Sequence, residues 1–332
     1  MLFFVFFGFV FCFFTFCLFF VAFTQADEIS EESYAQRIEI IPFQSFNLTD
    51  EQILKGEKNP VPVTIAGELR YPLHSNSKKL PVVIIVHGSG GINPANESWA
   101  YQLNAVGIAT FGIDSFSGRG LKSVSTDQAK LARLAGTIDA FKADEMLQQH
   151  PNIDPNKIAL IGSSRGGTAV IYTAMKRLQE LWSVNFKAVA TYPFYPSCFD
   201  ELNRDEDVTM PIHAFHGEID DYASKEQCKN WLARLSAKGA SVTSVEFKNA
   251  AHSFDNSLGP STPYISKGAQ SAQNCHIVER NGMLINESTK LPFTYQDSCV
   301  HLDPKTGFNK EATLASHKFV IDDLKRVFFQ AN

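Results

Sequence analysis

The chain has 332 residues, a formal net charge of −5 and a hydrophobic content of 44%. That length is enough for one large domain with a substantial core. The sequence contains no long run of lysine and arginine, so nothing indicates nucleic acid or an anionic membrane surface as a partner.

The N-terminal segment has the composition of a targeting sequence. Residues 1–23 are nearly all Phe, Val, Leu and Cys without a charged side chain. We assign residues 1–26 to a signal peptide, since small residues precede Asp27. The alternative is a membrane anchor, because an apolar run of more than about 18 residues can span a bilayer. In both cases residues 27–332 are expected to be an exported domain, periplasmic or secreted, and only an uncleaved leader would hold it on a membrane.

Strand and helix signals alternate between about residues 60 and 250. This alternation predicts an α/β fold with a mainly parallel central sheet and crossover helices on both faces. The predicted strands are 61–69, 80–86, 107–113, 157–161, 186–192, 210–215 and 241–247. The predicted helices are 99–106, 126–149, 168–179, 227–238 and 310–329.

Glycine-rich or polar segments follow two of the early strands. His87–Gly91 comes directly after strand 80–86, and such a turn can present a backbone N–H to an oxyanion, here at Ser89. Residues 114–120 follow the next strand and include Arg119. That arginine is either a solvated loop charge or a group that binds a substrate carboxylate.

A G-x-S-x-G pentapeptide lies at Gly162–Gly166, between a predicted strand and a predicted helix. In that context the pattern is typical of a nucleophile elbow, whose turn is too tight for side chains two positions before and after the serine. Ser164 is therefore the predicted nucleophile, and the backbone N–H of Arg165 is the second predicted oxyanion donor. The alternative is a Gly/Ser-rich turn without chemistry.

An acid and a base follow later strands. The carboxyl ends of parallel strands face one crevice, so these groups are expected near Ser164. A serine needs a neighbouring base, for which we choose His252, and a carboxylate must orient that base. Asp220 is chosen over Asp221 because it lies four residues after His216 in a His-Gly-x-x-Asp motif. The order serine, acid, histidine is that of an α/β-hydrolase triad.

Residues 256–309 interrupt the alternation and are rich in Gly, Pro, Asn and Ser. This insertion is either a wall over a cleft or a surface insertion without substrate contact. Four cysteines remain outside the leader, and short loops favour Cys198–Cys228 and Cys275–Cys299 as disulfides in an oxidising compartment. A zinc site is disfavoured because no C-x-x-C or Cys/His cluster has ligand spacing.

Four motifs together resemble those of the dienelactone hydrolase family. They are His87–Gly91, residues 114–120, the elbow followed by Gly167, and Gly217–Asp221. The resemblance runs from about Pro62 to the final helix, and the segments around Cys198 and Cys228 look like an exported branch. It implies an α/β-hydrolase fold with neither metal nor organic cofactor. The founding members carry cysteine where this chain has Ser164, so the resemblance implies an ester hydrolase more than a lactone hydrolase.

Three functions are consistent with these residues. The preferred hypothesis is a serine hydrolase that cleaves a small-molecule carboxylic ester, lactone or thioester through an acyl-enzyme on Ser164. A serine peptidase or amidase would use the same triad. A fold alone does not determine a function, so a binding protein without catalytic activity is the third hypothesis. In such a protein Ser164 would not be reactive.

Overall fold

The structure is a computed structural model and describes residues 37–73 and 79–330. Its central feature is an eight-stranded sheet. The strands are β1 (Arg37–Asn47), β2 (Val61–Tyr71), β3 (Leu80–Val86), β4 (Ala109–Asp114), β5 (Ile153–Ser163), β6 (Thr191–Phe194), β7 (Ile212–Gly217) and β8 (Val242–Phe247).

The strand order is β1-β2-β4-β3-β5-β6-β7-β8. β1 and β2 are antiparallel, as are β2 and β4, whereas the five remaining pairs are all parallel. The prediction of a mainly parallel α/β sheet is therefore confirmed. The strand order reverses between β3 and β5, because β4 lies on one side of β3 and β5 on the other. Sheets of this kind bind their ligands in the crevice at the carboxyl ends of the strands beside such a reversal.

Helices cover the sheet. In the described ranges they are α1 (Asp50–Lys55), α2 (Pro94–Ala105), α3 (Ala135–Gln148), α4 (Arg165–Tyr172), α5 (Lys176–Trp182), α6 (Lys225–Ala237) and α7 (Lys310–Phe329).

Strand β3 shows how the two faces are filled. All seven of its residues are buried, and alternate side chains of a strand point to opposite faces. Val82 and Ile84 belong to a hydrophobic cluster with side chains of α3 and α4. Val83 and Ile85 belong to a second cluster with side chains of α2 and α7. Helices therefore lie on both faces, as predicted.

Two predicted helices differ most from the observed ones. The predicted helix 126–149 begins only at Ala135, because the preceding residues bind other groups: the carboxylate of Asp50 accepts the backbone N–H groups of Arg133 and Leu134. The predicted helix 168–179 is split into α4 and α5, since the chain between them pairs with residues 207–209. Both differences arise from tertiary hydrogen bonds that periodicity does not reveal.

The first strand and first helix were not predicted. β1 pairs along its whole length with β2, which extends the sheet by an edge strand. A sequence signal for α1 exists, because Thr49 and Gln52 form a capping box and Gly56 ends the helix in the left-handed region.

The insertion contains only short strands. They form small antiparallel sheets beside the main one. These strands are β9 (Tyr264–Ile265), β10 (Gln270–Ser271), β11 (Ile277–Arg280), β12 (Met283–Asn286), β13 (Leu291–Pro292), β14 (His301–Leu302) and β15 (Lys305–Thr306).

Both disulfides form in the favoured pairing, Cys198–Cys228 and Cys275–Cys299. Disulfide bonds are typical of proteins in oxidising compartments. The predicted leader lies outside the described residues and stays a prediction. Between residues 37 and 330, apart from 74–78, no helix is long and apolar enough to cross a membrane.

Candidate active site

Ser164 lies on a strained corner between β5 and α4. Its backbone has φ 55° and ψ −119°, in the region of positive φ that residues other than glycine seldom adopt. Strain of this kind costs about 1–3 kcal/mol and persists only where the surroundings hold the backbone. Here the backbone N–H of Ser164 donates to the carbonyl of Phe194 on the neighbouring β6, at 2.9 Å. The corner thus presents the hydroxyl at the carboxyl end of the sheet.

The glycines around Ser164 are required by close backbone approach. A Cβ on Gly162 would lie 2.1 Å from the carbonyl oxygen of Gly166, and a Cβ on Gly166 would lie 2.1 Å from that of Val86. Both distances are far shorter than a van der Waals contact. The steric reason that the sequence pattern predicts for these glycines is therefore present in the structure.

Ser164, His252 and Asp220 form one chain of hydrogen bonds. Nε2 of His252 is 2.8 Å from Oγ of Ser164, and Nδ1 of His252 is 2.9 Å from Oδ2 of Asp220. An ionised carboxylate only accepts, so Nδ1–H donates to Asp220 and Nε2 is left to accept the serine proton. The structure thus brings together the three residues that the sequence assigned to a triad.

Asp220 is held in its ionised form. Complete burial would raise the pKa of this carboxyl, but the charge and hydrogen bond of His252 and two backbone N–H donors outweigh it. Those donors are the N–H groups of Tyr222 and Ala223, at 2.8 and 3.0 Å from Oδ1. The net effect is a pKa below the usual value, which keeps a negative charge opposite His252.

Two tyrosines that sequence reasoning missed hold the imidazole. The ring centroid of Tyr195 is 4.6 Å from that of His252, and Tyr222 is 4.5 Å away. The hydroxyl of Tyr195 donates to the buried Asp255 at 2.6 Å. Rings on His252 restrict its rotation and exclude water. Tyr222 could have been suspected from its position two residues after Asp220, whereas Tyr195 carries no motif.

Two backbone N–H groups are candidates for stabilising an oxyanion near Ser164. The N–H of Arg165 is in the first turn of α4, where helical amides have no partner within the helix. The Gly88 backbone approaches from the other side, because a Cβ there would be 3.3 Å from Cβ of Ser164. Among the described residues no group accepts a hydrogen bond from the N–H of Ser89, which lines the same cavity. Ser89 and Arg165 therefore stay the proposed oxyanion donors.

His87 positions the turn that carries Ser89. Its Nδ1–H donates to the carbonyl of Gly88, and its Nε2 accepts from the backbone N–H of Ser115. Burial lowers the pKa of His87, which keeps the ring neutral and able to accept at Nε2. This side chain therefore joins two loops at the edge of the crevice.

The suggestion that Arg119 binds a substrate carboxylate is wrong. The buried guanidinium forms an ion pair with Asp139, and its side chain is 4% exposed. All five N–H donors are used: two on Asp139, and one each on Asn47, Ser115 and Phe46. No donor remains for a substrate, so Arg119 instead ties the loop after β4 to β1 and α3.

The insertion forms one wall of the cavity at Ser164. This cavity has a volume of about 40 Å³, and Ser164 and His252 line it. Gln270, Ser271 and Tyr295 of the insertion also line it. The carbonyl of His252 also accepts the backbone N–H of Gly307. Of the two interpretations of residues 256–309, the structure thus supports a wall over the cleft.

The sequence also matches a known family. The model of the dienelactone hydrolase family matches residues 70–278, more than half of the chain. The chain belongs to the dienelactone hydrolase family. Family membership establishes a hydrolase, and it agrees with the α/β-hydrolase fold seen in the structure. No curated protein matches the chain significantly.

Solved structures of other dienelactone hydrolases share the fold. A dienelactone-hydrolase-like promiscuous phosphotriesterase from metagenomic libraries is 16% identical, with a TM-score of 0.54 over 87% of this chain and 98% of its own. A protein of Klebsiella pneumoniae assigned to the dienelactone hydrolases is 12% identical, with the same TM-score over 87% and 99%. At such identities the likeness establishes the fold alone.

Proposed function

We propose that this dienelactone hydrolase family member cleaves a carboxylic ester through an acyl-enzyme on Ser164. His252 acts as the general base and acid, and Asp220 orients it. The observation that carries the proposal is the pair of hydrogen bonds, 2.8 and 2.9 Å, that joins Ser164 to His252 and His252 to Asp220. Family membership supports the same reaction class.

The geometry accounts for each step. Nε2 of His252 takes the proton while Oγ of Ser164 attacks the ester carbonyl, and Asp220 stabilises the resulting imidazolium. The N–H groups of Ser89 and Arg165 stabilise the oxyanion of the tetrahedral intermediate. The C–O bond then breaks and the alcohol leaves with the proton from Nε2. Water then attacks the acyl-enzyme while Nε2 of His252 takes its proton. The bond between the acyl carbon and Oγ breaks, His252 returns the proton to Oγ of Ser164, and the carboxylic acid leaves.

The Ser164→Ala variant tests the proposal. We expect turnover of 4-nitrophenyl acetate and butyrate to fall by at least about 10⁴-fold, because the variant lacks the hydroxyl that His252 contacts. A fluorophosphonate probe should label the wild type once per chain, at Ser164, and should not label the variant. Unchanged turnover in a folded Ser164→Ala variant would disprove the mechanism, and an unlabelled wild type would favour a binding protein.

The exposed Ser257 provides a matched control, since Ser257→Ala removes a hydroxyl outside the cavity and should leave kcat/KM unchanged. Pairs of 4-nitrophenyl esters and 4-nitroanilides with the same acyl group separate ester from amide hydrolysis. We expect faster hydrolysis of the ester in every pair, by more than the ratio of the uncatalysed rates. A smaller preference would favour the amidase alternative.

A further inference from the structure

Arg133 is a buried cation that has no anionic partner in the part of the chain that the structure describes. Its exposed fraction is 8%, and no carboxylate of the described residues forms an ion pair with it. Within the described ranges the side chain makes a single hydrogen bond, from Nη1 to the hydroxyl of Tyr295 at 3.3 Å, and Nε is buried with no acceptor there. An unpaired buried charge is unfavourable unless a ligand completes its environment.

The two other arginines near the cavity differ in this respect. Arg119 uses all five of its N–H donors within the protein, as described above. Arg165 does the same, with donors on the carbonyls of Gln128, Leu131 and Ala132 and two on Oε1 of Gln128. Of these three arginines, Arg133 is therefore the one with N–H donors that have no partner among the described residues.

Aromatic rings hold the guanidinium of Arg133 in place. Its Cζ lies 4.8 Å from the ring centroid of Phe199, 5.7 Å from that of Phe293 and 6.0 Å from that of Tyr295. Rings shield the flat faces of a guanidinium and leave its edge to donate. The nearby carboxylate of Asp50 accepts the backbone N–H of Arg133 rather than its side chain. The guanidinium of Arg133 is therefore held in place, and its N–H donors are not used by Asp50.

Arg133 and Tyr295 line two cavities. One is the 40 Å³ cavity with Ser164, and the other has a volume of about 690 Å³ and continues between α1 and the insertion. The small cavity has room for only a few water-sized groups, since a cavity of about 10–15 Å³ in this measure holds one water molecule. The large cavity is in the range that ligand pockets of about 300–1,000 Å³ occupy. A substrate bound at Ser164 would reach it past Arg133.

We propose that the substrate is a bulky ester with an acidic group, that Arg133 binds the acidic group, and that the 690 Å³ cavity holds the bulk of the molecule. This inference rests on the proposed function, because it concerns the substrate that Ser164 attacks. A planar guanidinium with free N–H donors matches the two oxygens of a carboxylate. Leu48, Leu284 and Phe293 supply apolar surface in the large cavity.

Pairs of acidic and neutral esters test the role of Arg133. One pair places the acid in the acyl half, with 4-nitrophenyl hydrogen glutarate and 4-nitrophenyl pentanoate. The other places it in the alcohol half, with 3-carboxy-4-nitrophenyl butyrate and 4-nitrophenyl butyrate. In at least one pair, Arg133→Gln should lower the acidic-to-neutral ratio of kcat/KM by about tenfold or more, and Arg133→Lys should lower it less.

The control for loss of a positive charge is Arg326→Gln, on the exposed surface of α7 and outside both cavities. It should leave both ratios unchanged. Thermal unfolding and fluorophosphonate labelling of Ser164 verify that each variant is folded. An unchanged ratio in both pairs for folded Arg133 variants would overturn the inference. The mechanism at Ser164 would stand in that case, since it is tested separately, by turnover of the Ser164→Ala variant and by labelling of the wild type.

The large cavity is tested by filling it. Ala129 is exposed and lines it, so Ala129→Trp should narrow it without disturbing the core. We expect kcat/KM for 4-nitrophenyl hydrogen 3-phenylglutarate to fall by about tenfold or more relative to 4-nitrophenyl hydrogen glutarate. Ala233→Trp, on the exposed face of α6, introduces the same ring elsewhere and should leave kcat/KM unchanged for both esters. An equal effect of Ala129→Trp on both esters would exclude the cavity as a subsite.

Discussion

At the scale of single residues, environment rather than residue type decides which group has a role. Asp220 and Asp221 are adjacent carboxylates, yet only Asp220 is buried against His252. The carboxylate of Asp221 accepts the backbone N–H of Lys305 instead, at 2.7 Å. The choice made from the His-Gly-x-x-Asp spacing agrees with this geometry, and the two residues form a natural pair for mutation.

Asp220→Asn should lower kcat by about 10⁴-fold while KM changes little. An amide does not stabilise the imidazolium, and it can hold His252 in the tautomer that cannot accept the serine proton. Steady-state kinetics with 4-nitrophenyl butyrate measure the effect. Asp221→Asn is the matched variant and should retain kcat. A similar loss in both variants would mean that the acid has been assigned to the wrong residue.

At the scale of elements, the site depends on the corner between β5 and α4. Ser164 is held at positive φ because its backbone is hydrogen-bonded to β6 and because the flanking glycines let three segments approach closely. Such a corner tolerates no side chain at Gly162, where the backbone of Gly166 is in the way. The catalytic position of the hydroxyl is thus inseparable from the packing of the corner.

Gly162→Ala should lower the free energy of unfolding by about 3 kcal/mol or more, since its Cβ would meet a backbone carbonyl that cannot move alone. Activity should fall with it, as Ser164 shifts relative to His252. Gly112→Ala in β4 is the control, because a Cβ there meets no atom of the described segments within 4 Å. Urea denaturation and the butyrate assay compare the two, and equal stability of both variants would contradict the steric account.

At the scale of the whole molecule, one buried carboxyl links stability to pH. Asp144 of α3 is fully buried, and burial raises its pKa to about 7 despite hydrogen bonds from Gln148 and the backbone of Lys187. Its Oδ1 has no partner among the described residues. A group with a raised pKa binds its proton more tightly in the folded state. Its contribution is complete below pH 4 and is lost as the pH rises through about 7.

Asp144→Asn removes this dependence. Relative to the wild type, the variant should gain about 2 kcal/mol in free energy of unfolding between pH 5 and pH 8, because only the wild type must ionise a buried carboxyl. Urea denaturation at both pH values measures the difference. Asp322→Asn, at an exposed position on α7, should show no such trend. A difference between Asp144→Asn and the wild type that does not change with pH would refute the raised pKa.

The main parts of the site followed from local sequence. The pentapeptide at Gly162–Gly166 has a steric requirement that is visible in the residue types, and apolar runs before each motif predicted strands ending at one sheet edge. Arg119 and Arg133 could not be told apart in this way. Whether an arginine is free depends on which carbonyls and carboxylates surround it, and Asp139, the partner of Arg119, is twenty residues away in the chain.

The sequence by itself thus determined the fold class and the order of serine, acid and histidine, because burial of alternating strands and helices and a tight turn are local properties. Only the tertiary structure decided where helix α3 begins, that residues 256–309 form a wall of the cavity, and that Arg133 rather than Arg119 has free donors. Each of these depends on hydrogen bonds between segments far apart in the chain, which spacing along a sequence does not encode.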